Sequence, residues 1–277
     1  VAALVRPKFD EVLKTGRGQS WVDESIDIER EGVIAETFWT YSFVPILGAD
    51  GSVLGIFNSA RETTARVLQD RHDALLLTLE AELLAAGTSD AMIDRALATI
   101  GSHLGARRTG FSEIDISAGT FEIRRCWTGD AEMPDITGRY PLGTFGRISD
   151  ELASGKAIII EDNETDVRTA DPATLAAYSA IELRSGVVVP ILERGTYVGG
   201  IFAQDDVPRR WTPHQAQLAQ AAADRLWQAL KRARAEVALR ESEQRYRLIF
   251  EQADDIIFTA DIDQRITAFN AAGAAAM

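Results

Sequence analysis

The chain has 277 residues, 46% of them hydrophobic and 26% charged, with a formal net charge of −13. That balance suits a globular chain of two or three folded units, and its acidity argues against nucleic acid and anionic lipid, which both attract basic surfaces. No apolar run approaches the ~20 residues of a membrane span, and a single cysteine, Cys126, leaves no internal disulfide and no cysteine-rich metal site. These features together lead us to expect a cytoplasmic chain.

Residues 1–60 read as a helix followed by an antiparallel meander. In PKFDEVLKTG, Phe9, Val12 and Leu13 recur at helical spacing and Gly16 is placed to end the helix. Strand patterns follow in QSWVDESIDI, ETFWTYSFVPIL and SVLGIFNSA, the last two joined by GADG, whose Asp50-Gly51 pair is a strong hairpin signal. Residues 62–87 form a long helix with Val67, Leu68, Leu75, Leu79, Leu83 and Leu84 as its apolar positions and Gly87 as its stop. A further helix over 89–104, capped by Ser89 or Asp90, carries Met92, Ile93, Ala96, Leu97, Ile100 and Leu104 on one face.

From 106 to 205 the pattern is α/β. Five strands are expected, in TGFSEIDI, TFEIRRCWT, KAIIIED, RSGVVVPILE and TYVGGIFAQDD, with helical pieces at 145–154 and 172–181. ERGTY joins the last two strands as a hairpin, and Gly199 and Gly200 mark a close approach by a helix or a ligand. WTPHQ then opens a helix that runs to about residue 252, with Thr212 as N-cap, Pro213 in the first position and Gln215 closing a capping box. Along it Ala223, Leu226, Leu230, Ala233 and Val237 recur at alternating steps of three and four, a heptad seam continued less favourably by Arg240 and Gln244. The seam predicts a homodimer through 213–252, while packing of the helix start on its own domain is compatible with the same spacing. Beyond it, IIFTA and RITAF flank a turn at Asp263-Gln264, and Asn270 opens an alanine-rich helix, so a further unit begins there.

EREGVIAETFWTYSFVPILGADGSVLGIFNSARETTARVLQDRH resembles the C-terminal half of a PAS domain with its exit helix, and ESEQRYRLIFEQADDIIFTADIDQRITAFNAAGAAAM resembles the opening of a second PAS domain. Between them, 72–232 resembles a GAF domain through GTFGRISDELASGKAIIIEDNETDVRT and AAYSAIELRSGVVVPILERGTYVGGIFAQDDVPRRWTP. The resemblance covers essentially the whole chain. It implies the C-terminal part of a PAS domain over 1–66, a linker helix over 67–88, a GAF domain over 89–212, a coiled-coil signalling helix over 213–252, and the N-terminal part of a second PAS domain over 253–277. The implied fold class is α/β (α+β): a central antiparallel sheet flanked by helices, with partial PAS units joined by long signalling helices. The implied function is the non-enzymatic input segment of a cytoplasmic bacterial two-component sensor histidine kinase, cut from a longer protein. A diguanylate cyclase is the alternative output.

Catalytic chemistry is sparse. His72, His103 and His214 lack metal-ligand spacing and read as surface residues, and no glycine-rich phosphate cradle or ATP lid is present. Cys126 raises a chromophore- or redox-sensing alternative. A bilin-carrying GAF domain usually follows its cysteine with histidine, whereas Trp127 stands here, and redox chemistry wants a second cysteine. Strand alternation puts Phe121, Ile123 and Arg125 on one face and Cys126 on the other. The GAF resemblance further implies a cavity between one sheet face and the loops and short helices after the second strand. Trp127, Tyr140, Phe145, Ile148, Tyr178 and Arg184 are the residues expected to line it. Aromatic walls with one basic group suit a small planar or anionic ligand, or the same rings fill a core and leave no cavity. No catalytic residue, metal site or cofactor is evident.

Overall fold

The computed structural model describes residues 2–30, 33–129, 133–146 and 148–276. The chain divides into two units, Val1–Leu77 and Thr78–Met277.

In the first unit, α1 (Ala2–Thr15) precedes β1 (Gln19–Arg30), β2 (Val33–Leu47) and β3 (Val53–Glu62), an antiparallel meander in sequence order. Gly16, at φ 61°, donates its N–H to the Val12 carbonyl and ends α1. Gly51, at φ 82°, makes the β2–β3 turn, and the Ser52 N–H donates to the Asp50 carboxylate. Val12 is buried against Ile26, Tyr41 and Phe43, but Phe9 and Leu13 are 38% and 40% exposed. One helix on a three-stranded sheet buries a stripe narrower than its apolar pattern. α2 (Thr64–Ala85) follows, with Leu75, Leu79 and Leu83 buried. Leu84 is 85% exposed, one residue and thus about 100° around the helix from Leu83.

The second unit is built on a six-stranded sheet ordered β6-β5-β4-β9-β8-β7, in which every neighbouring pair is antiparallel. Its elements are α3 (Ser89–Leu104), β4 (Arg108–Asp115), β5 (Thr120–Thr128), β6 (Gly138–Pro141), α4 (Ser149–Ala153), β7 (Ile158–Ile160), α5 (Pro172–Ala180), β8 (Ser185–Glu193), β9 (Thr196–Asp205) and α6 (Pro213–Gln252). The sixth strand, β6, was not expected, because GRYP has a glycine, a proline and no apolar alternation. α3 is capped by Thr88, not Ser89 or Asp90; the Thr88 hydroxyl accepts from the Ala91 N–H. The helix expected over 145–154 shortens to α4, and residue 147 within it lies outside the described residues. The β8–β9 hairpin turns on Arg194 and Gly195 at φ 50° and 82°, the two left-handed residues that suit the twist of paired strands.

One sheet face carries α3 and α6. Thr109 donates from its hydroxyl to the Leu97 carbonyl of α3, and the Phe111 ring lies 6.4 Å from Trp227 of α6. α6 begins at the full capping box of Thr212 and Gln215. Along it Ala223, Leu226 and Leu230 have no solvent exposure within a single chain. The first part of the heptad seam is therefore this unit's own core, since a core helix also repeats its apolar residues at steps of three and four. Ala233 is half-buried, Val237 is 53% exposed, and every residue from Arg234 to Ile249 is exposed. After α6 come β10 (Phe258–Ala260), β11 (Ile266–Phe269) and α7 (Ala271–Ala275), which Asn270 caps by accepting from the Gly273 N–H.

β5 carries a β-bulge. Phe111 pairs with Arg125 while the next residue of β4, Ser112, pairs with Ile123, so Arg124 is extra. One extra residue reverses the alternation beyond it. Phe121 and Ile123 share a face with Cys126, which joins a cluster with Ile123, Ile136 and Phe202. Arg125 and Trp127 turn to the helix face, where Arg125 pairs with Asp90 and Asp94 of α3. The expected separation of Cys126 from Phe121 and Ile123 is thus overturned by a feature that depends on the partner strand.

Candidate functional site

Opposite α3 and α6, the sheet forms the floor of a cavity of about 100 Å³. Alternate residues of the central strands face it, among them Ser112 and Ile114 of β4, Phe202 and Gln204 of β9, and Gly186 and Val188 of β8. Gly110 lies under the Phe202 ring, and a Cβ there would come within 2.0 Å of it. The roof is the chain from β6 to α5. Gly143 and Gly146 turn at φ 90° and 89°, and a Cβ on Gly146 would lie 2.8 Å from the Arg168 carbonyl. Tyr178 donates its hydroxyl to the Phe145 carbonyl at 2.9 Å, and the two rings lie 5.4 Å apart. Burial pushes the Tyr178 hydroxyl well above its ordinary pKa, so it stays a donor.

Four of the six residues named from sequence line this cavity: Phe145, Ile148, Tyr178 and Arg184. Tyr140 stands behind the wall, stacked on Phe121 at 5.4 Å and donating to the Ile136 carbonyl. Trp127 lies on the opposite face because of the bulge; a Cβ on Gly101 of α3 would fall 2.1 Å from its indole. Arg184 is not a free basic group. Its guanidinium donates to both carboxylate oxygens of Asp162, at 3.0 and 3.1 Å, and pairs with Glu164 at 3.0 Å. The Glu164 N–H and Arg184 hold the Asp162 carboxyl below the usual carboxylate range. With that charge engaged, the cavity loses its expected affinity for an anion.

Polar residues absent from the sequence reading stand in their place. Arg108 is fully buried and donates to Gln204 Oε1 at 3.0 Å, the Ile181 carbonyl at 2.9 Å and the Pro134 carbonyl at 3.3 Å. Desolvation lowers its pKa. Asn163, 3% exposed, lines the cavity and donates through Nδ2 to the Leu183 carbonyl. Neither carried a local signal: Asn163 sits in the polar run DNET, and Arg108 is one of two consecutive arginines. The Cys126 thiol is pushed up to about 12 by burial, so it is protonated at neutral pH and a poor nucleophile. Among the described residues no group of three or more His, Cys, Asp or Glu side chains is placed to hold a metal ion, and no helix is long and apolar enough to cross a membrane.

No curated protein matches the sequence. Among solved structures, the phycoerythrobilin-bound GAF domain of a cyanobacterial phytochrome is 17% identical, with a TM-score of 0.53 over 61% of this chain and 98% of that one. A phycocyanobilin-bound GAF domain from a cyanobacterial phytochrome is 18% identical, with a TM-score of 0.51 over 60% and 96%. A far-red-absorbing dark state with bound biliverdin is 12% identical, with a TM-score of 0.51 over 59% and 99%. At such identities the likeness is one of fold. The GAF domain family model matches residues 89–230, which span β4 to β9 and the helices α3 and α6 on their far face. On that match, over just more than half of its length, the chain belongs to the GAF domain family.

Proposed function

We propose that the chain is the sensory input and transmission segment of a two-component sensor histidine kinase, with the GAF cavity as its small-molecule receptor. The observation that carries this reading is the sharing of β8 and β9 between two layers. Gly186, Val188, Phe202 and Gln204 face the cavity, while the alternate residues Val187, Val189, Ile201 and Ala203 are buried on the other side of the same strands. A ligand that shifts the cavity-side residues acts on the layer that seats α6. It biases output only through different affinities for two arrangements of that layer. α6 then continues past the core as an exposed helix bearing Val237, Leu239, Tyr246, Leu248 and Ile249, and pairing of this stretch with a second copy supplies the dimeric arm. Residues 1–66 and 253–277 are read as parts of flanking PAS units on their sequence resemblance, with 67–88 as the linker helix. On this reading the segment performs no catalysis itself, and a diguanylate cyclase is the other output compatible with it.

Bilin sensing through Cys126 is disfavoured. The cavity, at about 100 Å³, is far smaller than a tetrapyrrole, and the cysteine is buried as a thiol. Native and denatured mass spectra of the purified chain test the receptor role: an adduct lost on denaturation is expected. A clean apo mass, unchanged after incubation with a bacterial metabolite extract, overturns it. Light scattering of Val237→Asp tests the dimeric arm, for which a fall in self-association is expected; a variant as associated as the parent overturns it.

A further inference from the structure

Resting on the reading of the cavity as a receptor, we infer that its ligand is a small neutral hydroxylated ring of the phenol class, whose hydroxyl is read by Asn163 and Gln204. The Asn163 amide is held in one orientation. Its Nδ2 donates to the Leu183 carbonyl, which can only accept, so the amide oxygen must occupy the other position. Its backbone is fixed too, with the N–H donating to the Arg184 carbonyl at 2.8 Å and the carbonyl accepting from the Thr169 hydroxyl at 2.6 Å. Asn163 Oδ1 is then a buried acceptor without a hydrogen-bond partner, on a residue of the cavity wall, and a ligand hydroxyl reaches it only as that wall yields. Buried acceptors are rarely left so without a ligand or an ordered water to complete them.

Gln204 is oriented by the same logic with the opposite result. The Arg108 Nε–H donates to Gln204 Oε1, and a guanidinium cannot accept, so the Gln204 NH2 is turned away from Arg108. That NH2 makes no hydrogen bond among the described residues, and Gln204 also lines the cavity. Both amides are tied to one stretch of chain: Asn163 to the Leu183 carbonyl and, through Arg108, Gln204 to the Ile181 carbonyl. The 181–183 stretch thus braces both amides, and in the inferred binding mode a single hydroxyl donates to Asn163 and accepts from Gln204.

Charge and size narrow the class further. Arg184, the cation in the wall, is already engaged by Asp162 and Glu164, so a carboxylate gains no free partner there, and Arg108 stands behind Gln204 with its donors on Gln204 and the Ile181 and Pro134 carbonyls. A cavity of about 100 Å³ is somewhat smaller than the ~150 Å³ that holds benzene in an engineered core. One ring is the upper limit, with the apolar side chains of Ile148, Leu152 and Phe202 around it.

Titration calorimetry of the whole chain with phenol, toluene and benzoate tests the inference. Phenol is expected to bind at least ten-fold more tightly than toluene, which lacks the hydroxyl, and benzoate, which carries the charge. Asn163→Leu should reduce the difference between phenol and toluene to within about two-fold. Because Asn163 also braces the Leu183 carbonyl, Ile148→Phe supplies an independent variant: it narrows the cavity, leaves both amides in place, and should abolish phenol binding with the circular dichroism unchanged. Toluene or benzoate binding as well as phenol overturns the hydroxyl assignment but leaves the receptor reading standing. So does an absence of phenol binding when native mass spectra show an adduct of another class. No binding by any probe together with a clean apo mass overturns both, with water alone completing Asn163.

Discussion

Leu230 separates the two roles that its spacing along α6 allows. It has no solvent exposure within one chain, so replacing it with alanine removes three carbons from a closed core. Transfer alone accounts for about 2.4 kcal/mol at ~0.8 kcal/mol per methylene, and the residual cavity brings buried Leu→Ala losses to roughly 3–5 kcal/mol. In a unit of this size each kcal/mol lowers the unfolding temperature by roughly 2–4 °C, so a fall of roughly 6–20 °C is expected. Val237→Ala, at a position 53% exposed, should stay within about 0.5 kcal/mol of the parent when measured at a concentration where the chain is monomeric. Scanning calorimetry, with light scattering at each concentration, makes the comparison. A Leu230→Ala variant that unfolds within about 2 °C of the parent, yet loses its self-association, would place Leu230 at an interface between copies and refute the core assignment.

Two further outcomes follow from half-buried titratable groups. At pH 8, iodoacetamide should alkylate Cys126 at least ~100-fold more slowly in the folded chain than in urea, because burial suppresses the thiolate; rates within about three-fold of each other would show an open cysteine. Arg168, hydrogen-bonded to Asp166, holds that carboxyl below the usual range. A depressed carboxylate stabilises the fold above its unfolded pKa, and that contribution is lost as pH falls through the folded value, in a window below about pH 4. Asp166→Asn should therefore lower the unfolding temperature at pH 7 and flatten the acid limb, and an acid limb identical to the parent's would remove Asp166 from that role.

Features encoded by adjacent residues were legible from sequence. The capping box at Thr212 and Gln215, the Gly16 helix end and the hairpins at Asp50-Gly51 and Arg194-Gly195 each rest on backbone chemistry within a few positions. What escaped notice depends on residues far apart along the chain. Trp127 was expected at the cavity on the GAF resemblance, whereas the extra residue at Arg124, which turns it to the other face, is visible only against β4. Arg184 read as a free cation because its engagement by Asp162 lies beyond α5, 22 positions away. Ala223, Leu226 and Leu230 carried a spacing that a domain core and a coiled coil share, and only burial distinguishes the two. Asn163 was lost in a polar loop, since its importance lies in a missing bond and not in a pattern.

The bulge at Arg124 ties the facing of β5 to where the strand accommodates one extra residue. Drawing Arg124 into the regular ladder with β4 would restore strict alternation, bring the Trp127 side chain round to the face of β5 that carries Ile123 and turn Cys126 toward the helix face. Deleting Arg124, by contrast, removes the extra residue itself and leaves Arg125, Cys126 and Trp127 on the faces they hold now. A substitution alters a wall by single side chains, whereas loss of the bulge with Arg124 retained reverses every residue of β5 beyond it. The facing of β5 is in that sense a matter of phase, set at the exposed Arg124.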